Sequence, residues 1–370
     1  MKSMIIASIT LMILIAAPLS LIEVDADSGF DITDGEGRTF HYDAPTEHVV
    51  STGYATTLTI AGAGAIDKIV AVDKYSTYSY TKDEKLSGLD AADLGSFYGK
   101  TNHSLIKTTL VKMVEDKKMS LDDTIILTSY SDNRALYDDL KSYGFTHVLL
   151  WITISNYDEI MNFVESVTKI VTGGSSDSLK DMQSKIDSVK NGLSGVKDGE
   201  RANALFVWYT SGKLDVGNTS IMNSMLEICK ANNLGYSETE KAHYGDTNLI
   251  VKLLEKNPNT VIFINNAYKN AGKTVDDFRN DVLGGRTDIP VVIMGLYWNN
   301  FCPESADGLV TMAKYLYPGI MGEPYDGYMN EYGIESSDSD KDNNTVIITA
   351  IVAALAVIAV VGVVMLRRKP

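Results

Sequence analysis

The residues best suited to chemistry in this chain are aromatic. It carries 20 tyrosines and 3 tryptophans, and many stand just after short apolar runs that read as strands. Tyr54, Tyr130, Trp151, Trp208, Tyr268 and Trp298 are of this kind, and Arg134 follows the same run as Tyr130. Tyrosine and tryptophan offer a rigid apolar face with a polar tip. Such groups suit a bulky, partly flat ligand better than a sugar or a free ion. An arginine beside them would hold an anionic ligand through charge-assisted hydrogen bonds. These seven residues are the expected ligand-binding set.

Signatures of catalysis are missing. No GxxxxGK[ST] run occurs, which excludes nucleotide hydrolysis by a P-loop. Gly62-Ala63-Gly64-Ala65-Ile66-Asp67 lacks the third glycine of a dinucleotide loop. Its glycines also follow a helix instead of opening one, so a helix stop is expected there. The histidines His41, His48, His103, His147 and His243 show neither HxxxH nor HExxH spacing, so no resident metal is expected. There is no GxSxG, and Asp122-Asp123 reads as a turn. The expectation is a binding protein, not an enzyme, with no cofactor of its own.

Strand and helix alternate around these residues. Apolar, β-branched runs at 48–51, 68–72, 124–127 and 147–151 read as strands, with helices at 56–65 and 133–143. After the middle of the chain the pattern resumes, with strands at 204–208, 260–264 and 290–294. Helices fall between and after them at 221–231, 247–255, 274–282 and 306–316. Short continuous apolar runs suit strands buried on both faces of a parallel sheet, and the alternation points to α/β units. Two helical stretches, 156–171 and 178–193, separate the halves. Leu179, Met182, Ile186, Val189 and Leu193 recur there at helical spacing as one apolar stripe. The expected fold class is α/β: two Rossmann-like lobes, residues 27–155 and 199–334, joined by a long interlobe helix within 156–198. In open α/β sheets ligands bind outside the carboxyl ends of the strands, which puts the aromatic set in a cleft between the lobes.

The two ends set the compartment. An apolar run at 4–21 follows Lys2, is broken by Pro18 and leads to Val24-Asp25-Ala26. Residues 1–26 therefore read as a signal peptide. A second run, 345–366, is uncharged and has the roughly 20 residues that span a bilayer. Arg367, Arg368 and Lys369 follow it, so the tail 367–370 should stay cytoplasmic. Residues 335–344, ESSDSDKDNN, read as a flexible acidic stalk. The expectation is a single-pass protein of the cell membrane with its folded part extracellular. A net charge of -15 argues against nucleic acid as a partner. An outward location permits a disulfide between Cys229 and Cys302, and two buried free thiols fit equally well.

The opening Asp31-Ile32-Thr33-Asp34-Gly35-Glu36-Gly37-Arg38 resembles a family start of the form V-T-D-x-x-G-R. His48-Val49-Val50-Ser51, Thr56-Thr57-Leu58, Ala61-Gly62-Ala63-Gly64 and Ile69-Val70-Ala71-Val72-Asp73 follow in the order of the same family. Leu253-Leu254-Glu255-Lys256-Asn257-Pro258 resembles its L-L-x-x-N-P run. The family is the substrate-binding proteins of ABC importers that capture iron–siderophore complexes, haem or cobalamin. The resemblance covers residues 31–318 and implies a metal-chelate ligand, whose metal is iron or cobalt, and an ABC permease with its ATPase as partners. It also implies one docking glutamate on each lobe. The second-lobe position holds Ile250 and Val251 instead, and Glu115 is a loose match in the first lobe.

Overall fold

The computed structural model describes residues 29–97, 102–128, 133–152, 154–216, 220–235, 243–244, 247–298 and 300–324. The expected signal peptide, stalk, transmembrane segment 345–366 and cytoplasmic tail lie outside the described residues, as does Tyr130. Among the described residues no helix is long and apolar enough to cross a membrane.

The chain opens with an antiparallel hairpin, β1 (Phe30–Thr33) and β2 (Thr39–Tyr42). Five parallel strands follow: β3 (Val49–Ser51), β4 (Ile69–Val72), β5 (Ala92–Asp93), β6 (Thr124–Thr128) and β7 (His147–Trp151). They lie in the order β5-β4-β3-β6-β7. Every residue of β3 and β6 is buried, as expected of parallel strands covered on both faces. The covering helices are α1 (Tyr54–Gly62), the one-turn α2 (Tyr78–Thr81), α3 (His103–Glu115) and α4 (Asn133–Tyr143). The first strand of this sheet is central and later strands step outward both ways. The topological switch point, where α/β ligands bind, therefore falls between β3 and β6. The glycine run after α1 is the helix stop expected of it: α1 ends at Gly62, and Gly64 adopts φ +78.

The hairpin shields the edge of this sheet. Asp34, whose side chain is fully buried, accepts hydrogen bonds from the backbone N–H groups of Glu36 and Arg38 at 3.0 Å each. It also accepts from the Leu150 N–H on β7 at 3.1 Å, and the Arg38 guanidinium closes on it at 2.6 Å. His147 Nε2 donates to the His41 carbonyl at 2.9 Å. An exposed edge strand invites pairing with other chains, and these bonds cover β7.

Two helices of 16 residues, not one long helix, link the lobes: α5 (Tyr157–Thr172) and α6 (Asp177–Gly192). The break has a local cause. Gly173 ends α5 in the left-handed region at φ +79, and Ser176 restarts the chain by capping the Leu179 N–H at 3.2 Å.

The second lobe holds β8 (Ala202–Thr210), β9 (Lys213–Val216), β10 (Ala231–Asn233), β11 (His243–Tyr244), β12 (Thr260–Ile264) and β13 (Val291–Ile293). Its order is β11-β9-β8-β12-β13, with β10 beside the start of β8. β8, β10, β12 and β13 are parallel, while at the edge β9 pairs antiparallel with β8 and β11 pairs antiparallel with β9. The sheet is therefore mixed, unlike the purely parallel one expected. Its helices are α7 (Ser220–Ile228), α8 (Thr247–Lys256), α9 (Ala267–Asn270), α10 (Val275–Val282), α11 (Ser305–Leu316) and α12 (Pro318–Met321).

One apolar core runs through both lobes, from Ile32 and Leu149 through Phe163 and Ile186 to Phe206 and Met312. Specific ties reinforce it. The Tyr157 hydroxyl lies 3.0 Å from Ser305 Oγ, Phe163 packs edge-on to Phe301 at 5.6 Å, and Lys185 pairs with Asp307 at 2.5 Å. Swinging the lobes apart would expose this shared apolar surface to water, at a cost proportional to its area. A wide separation of the lobes is therefore costly. The cysteines do not form the disulfide considered above. Both thiols are free and buried, Cys229 in the shared core beneath α11 and Cys302 in a separate cluster at the cleft.

Candidate functional site between the lobes

A knot of polar groups from both lobes meets at the carboxyl ends of the strands. Tyr54 is the first residue of α1, directly after β3 and so at the switch point of the first sheet. Gly53 makes that turn possible, since a Cβ there would stand 2.2 Å from Thr128 Oγ1. Asp83 precedes a short helical turn and caps it: its Oδ1 accepts the Lys85 N–H at 3.0 Å. Its other oxygen is left for the cleft. Tyr54 donates to Asp83 Oδ2 at 2.6 Å, and the Tyr297 hydroxyl, from the turn after β13, donates to the same oxygen. The two hydroxyls lie 2.8 Å apart.

A second contact parallels the first. Lys85 pairs with Glu304 across the lobes at 2.6 Å, and its ammonium sits 5.3 Å from the centre of the Tyr297 ring. Beneath both lies an apolar pad of Ala55, Leu58, Leu86 and Cys302. Burial, then the Asp83 hydrogen bond, push both tyrosine hydroxyls well above their ordinary values. Both are therefore neutral donors at physiological pH. The arrangement offers hydroxyl and carboxylate oxygens, an ammonium and two rings in one partly buried place.

The expected set divides. Tyr54 is in the knot. Trp208 keeps part of its ring exposed at the end of β8, edge-on to Phe206 at 5.9 Å. Arg134 does not face the second lobe: it pairs with Glu36 in the hairpin turn at 2.7 Å. Trp151 is buried, edge-on to Phe163, and walls a different cavity. That cavity, about 500 Å³, lies between the hairpin and α5 and is also lined by Asp31, Thr33, Glu159 and Glu165. Tyr268 is inside the second lobe, edge-on to Tyr209 and Phe278, where burial raises its hydroxyl to about 12. Trp298 is 1% exposed and packed on Gly295 and Gly308. The strand-end rule puts Arg134, Trp151, Tyr268 and Trp298 on the cleft wall, and the structure puts them elsewhere. Position after a strand selects the right end of the sheet, but not whether a ring turns outward or into the core.

Asp83, Lys85, Tyr297 and Glu304 were not in the expected set. Tyr297 was legible as a strand-end aromatic next to Trp298, and only the packing of the turn that holds both decides between them. Asp83 carries only the signal of a helix-turn cap, which does not reveal that its second oxygen serves the other lobe.

CeuE of Helicobacter pylori with Ni(II) bound superposes with a TM-score of 0.55 at 17% identity, covering 84% of this chain and 97% of that one. A protein of an ABC-type Fe3+-hydroxamate transport system from Saccharomonospora viridis gives 0.54 at 14%, covering 78% and 98%. The vitamin B12 binding protein BtuF of Vibrio cholerae gives 0.53 at 15%, covering 74% and 97%. The fold is that of the periplasmic binding proteins. Other structures with this fold are described as periplasmic, vitamin B12 and haem binding proteins. No protein-family model matches the sequence, and no curated protein matches it.

Proposed function

We propose that this chain is the substrate-binding protein of an ABC importer for a metal chelate of the siderophore, haem or cobalamin class. It takes its ligand in the cleft between the lobes and hands it to a permease and its ATPase. The observation that carries this is the meeting of Tyr54, Asp83 and Tyr297 from two lobes at the strand ends, on a fold whose solved neighbours are chelate and metal binders. The shared core keeps the lobes close together. Binding then needs a small adjustment of the cleft instead of a wide closure.

The chain would be exported and held at the cell surface by residues 345–366, the stalk carrying the folded part clear of the membrane. Protease added to intact cells should release a soluble fragment by cutting within 335–344. Cutting only after lysis would refute this topology. Screening the full chain against ferric hydroxamate and catecholate chelates, haem and cobalamin by absorbance and tryptophan quenching tests the ligand class. Saturable binding of one class is expected, and binding of none refutes the proposal.

A second reading, a surface sensory or adhesive protein that reuses the fold without transport, is favoured by one feature. On α8, Ile250 is buried and Val251 is exposed where the resemblance implies a docking glutamate. Fold alone does not fix function. ATP hydrolysis by a reconstituted neighbouring permease and ATPase, stimulated by the loaded chain, supports delivery. A loaded chain without effect supports the sensory or adhesive protein.

A further inference from the structure

The cavity between the hairpin and α5 lies apart from the knot, and the proposed function does not use it. Its volume of about 500 Å³ is within the roughly 300–1,000 Å³ of small-molecule pockets. Along α5, Glu159, Asn162, Glu165 and Lys169 recur at three and four residues and line it. Ile160, Phe163, Val164 and Val167, on the other side of the helix, are buried. A polar stripe on an amphipathic helix is ordinarily only a solvated face. Here the stripe faces Asp31 and Thr33 of β1 across a gap, and the buried Trp151 is part of the lining.

Trp151 supplies the observation that points to a ligand. Core packing claims its ring, which is 5% exposed and edge-on to Phe163 at 5.2 Å. The indole N–H, however, donates to no described residue. A buried donor without an acceptor is costly. The adjoining ring atom, Cδ1, lies against Gly35, which also lines the cavity: a Cβ on Gly35 would stand 2.8 Å from it. The N–H edge of the ring is therefore at the cavity wall. Two carboxylates are also available. Glu165 makes no ion pair or hydrogen bond among the described residues, although Lys169 follows one turn later and sits 5.0 Å from the centre of the Phe30 ring. Glu159 uses only Oε2, which accepts from the Ser155 N–H and hydroxyl at 2.5 and 2.9 Å.

We propose that this cavity binds a free basic amino acid, independently of the cleft between the lobes. Glu159 and Glu165 stand six residues apart, about 9 Å along the helix axis. That spacing suits a molecule with two cationic groups separated by a chain of several bonds. Glu159 takes the α-ammonium, and Glu165 takes the side-chain ammonium or guanidinium through charge-assisted hydrogen bonds. The α-carboxylate accepts from the Trp151 N–H. A simple diamine would leave that N–H without an acceptor. A metal ion is a poorer match, since among the described residues no three His, Cys, Asp or Glu side chains converge to hold one. The other two carboxylates of the lining are already engaged, Asp31 with His41 at 2.7 Å and Asp34 with Arg38 at 2.6 Å.

Calorimetric titration of the full chain with L-arginine and L-lysine tests this. Saturable binding of one or both is expected. Agmatine, which lacks the α-carboxylate of arginine, and L-norleucine, which lacks a side-chain cation, should each bind about tenfold more weakly. Glu165→Gln should weaken binding of the amino acid about tenfold. Trp151→Phe keeps a ring but removes the N–H, and should weaken it about fivefold. Glu255→Gln removes an exposed carboxylate from α8 in the second lobe and should leave the affinity unchanged. Circular dichroism melting shows whether Trp151→Phe folds, and if it does not, the exposed Glu165→Gln decides. No saturable binding of either amino acid, or unaltered affinity in Glu165→Gln, would overturn the site. Agmatine or L-norleucine binding as tightly as the amino acid would overturn the ligand class.

Discussion

Replacing Trp298 by alanine should destabilise the fold severely. The indole is 1% exposed and belongs to the core shared by both lobes. It is enclosed on two sides by glycines: a Cβ on Gly308 would stand 2.4 Å from Trp298 Cβ, and one on Gly295 2.8 Å from its ring. Those neighbours have no side chains with which to fill the space left behind. A buried tryptophan removes up to about 250 Å² from water, so area alone gives roughly 6 kcal/mol as an upper bound. Measured aromatic truncations in cores cost about 3–5 kcal/mol, and that range is expected here. With a urea slope near 3 kcal/mol/M, at the upper end for ordinary domains, the midpoint should fall by about 1–1.7 M. Unfolding of the full chain followed by far-ultraviolet circular dichroism checks this, and one continuous core predicts one transition. Trp208→Ala, with its ring partly exposed, should shift the midpoint by about half as much. A Trp298→Ala variant of unaltered stability but weakened ligand binding would show that the ring faces the cleft and refute the packing described.

Other outcomes follow from the same structure. Asp34→Ala leaves Arg38 and three backbone N–H groups without their acceptor. It should cost about 3–5 kcal/mol and make the hairpin a site of limited proteolysis. Thiol labelling of the unreduced chain should find neither Cys229 nor Cys302 reactive when folded and both reactive in denaturant, and fewer than two labels there would indicate a disulfide. Burial pushes the Asp73 carboxyl up from 3.8 to about 6. Because the folded chain holds this proton more tightly than the unfolded chain, the Asp73 contribution makes stability fall as pH rises through this window, the penalty being complete above it. Asp73→Asn should flatten that part of a stability-against-pH profile, and an unchanged slope would remove Asp73 as the cause.

Much of the architecture was readable because it rests on local patterns. The apolar runs around Val49, Ile125 and Ile262 had to be buried strands, and Gly62 and Gly64 had to end a helix. The break between α5 and α6 turned on a glycine followed by a serine cap, a signal easily lost between two apolar stripes. The antiparallel β9 was hidden because it is short and arises from a tight turn at Ser211 and Gly212, both at positive φ. The site was less legible. Tyr54 was marked by its place after the central strand, whereas Asp83 and Tyr297 are 214 residues apart and no spacing rule connects them. Arg134 was drawn to Glu36 because the N-terminal hairpin folds back over β7, a tertiary event that a strand-end rule does not see. Among the three tryptophans, core packing outcompeted ligand binding at Trp151 and Trp298.

The central claim is that a metal chelate is held between the lobes by the groups that meet there. Calorimetric titration of the full chain, first against ferric hydroxamate and catecholate chelates, haem and cobalamin, and then with the chelate that binds against Tyr54→Ala and Tyr297→Ala, tests it most directly. The account predicts saturable binding by the unaltered chain and a loss in each variant of about 1–3 kcal/mol, roughly 5- to 150-fold in affinity. Equal affinity in the unaltered chain and both folded variants would contradict it, as would the absence of binding by every chelate.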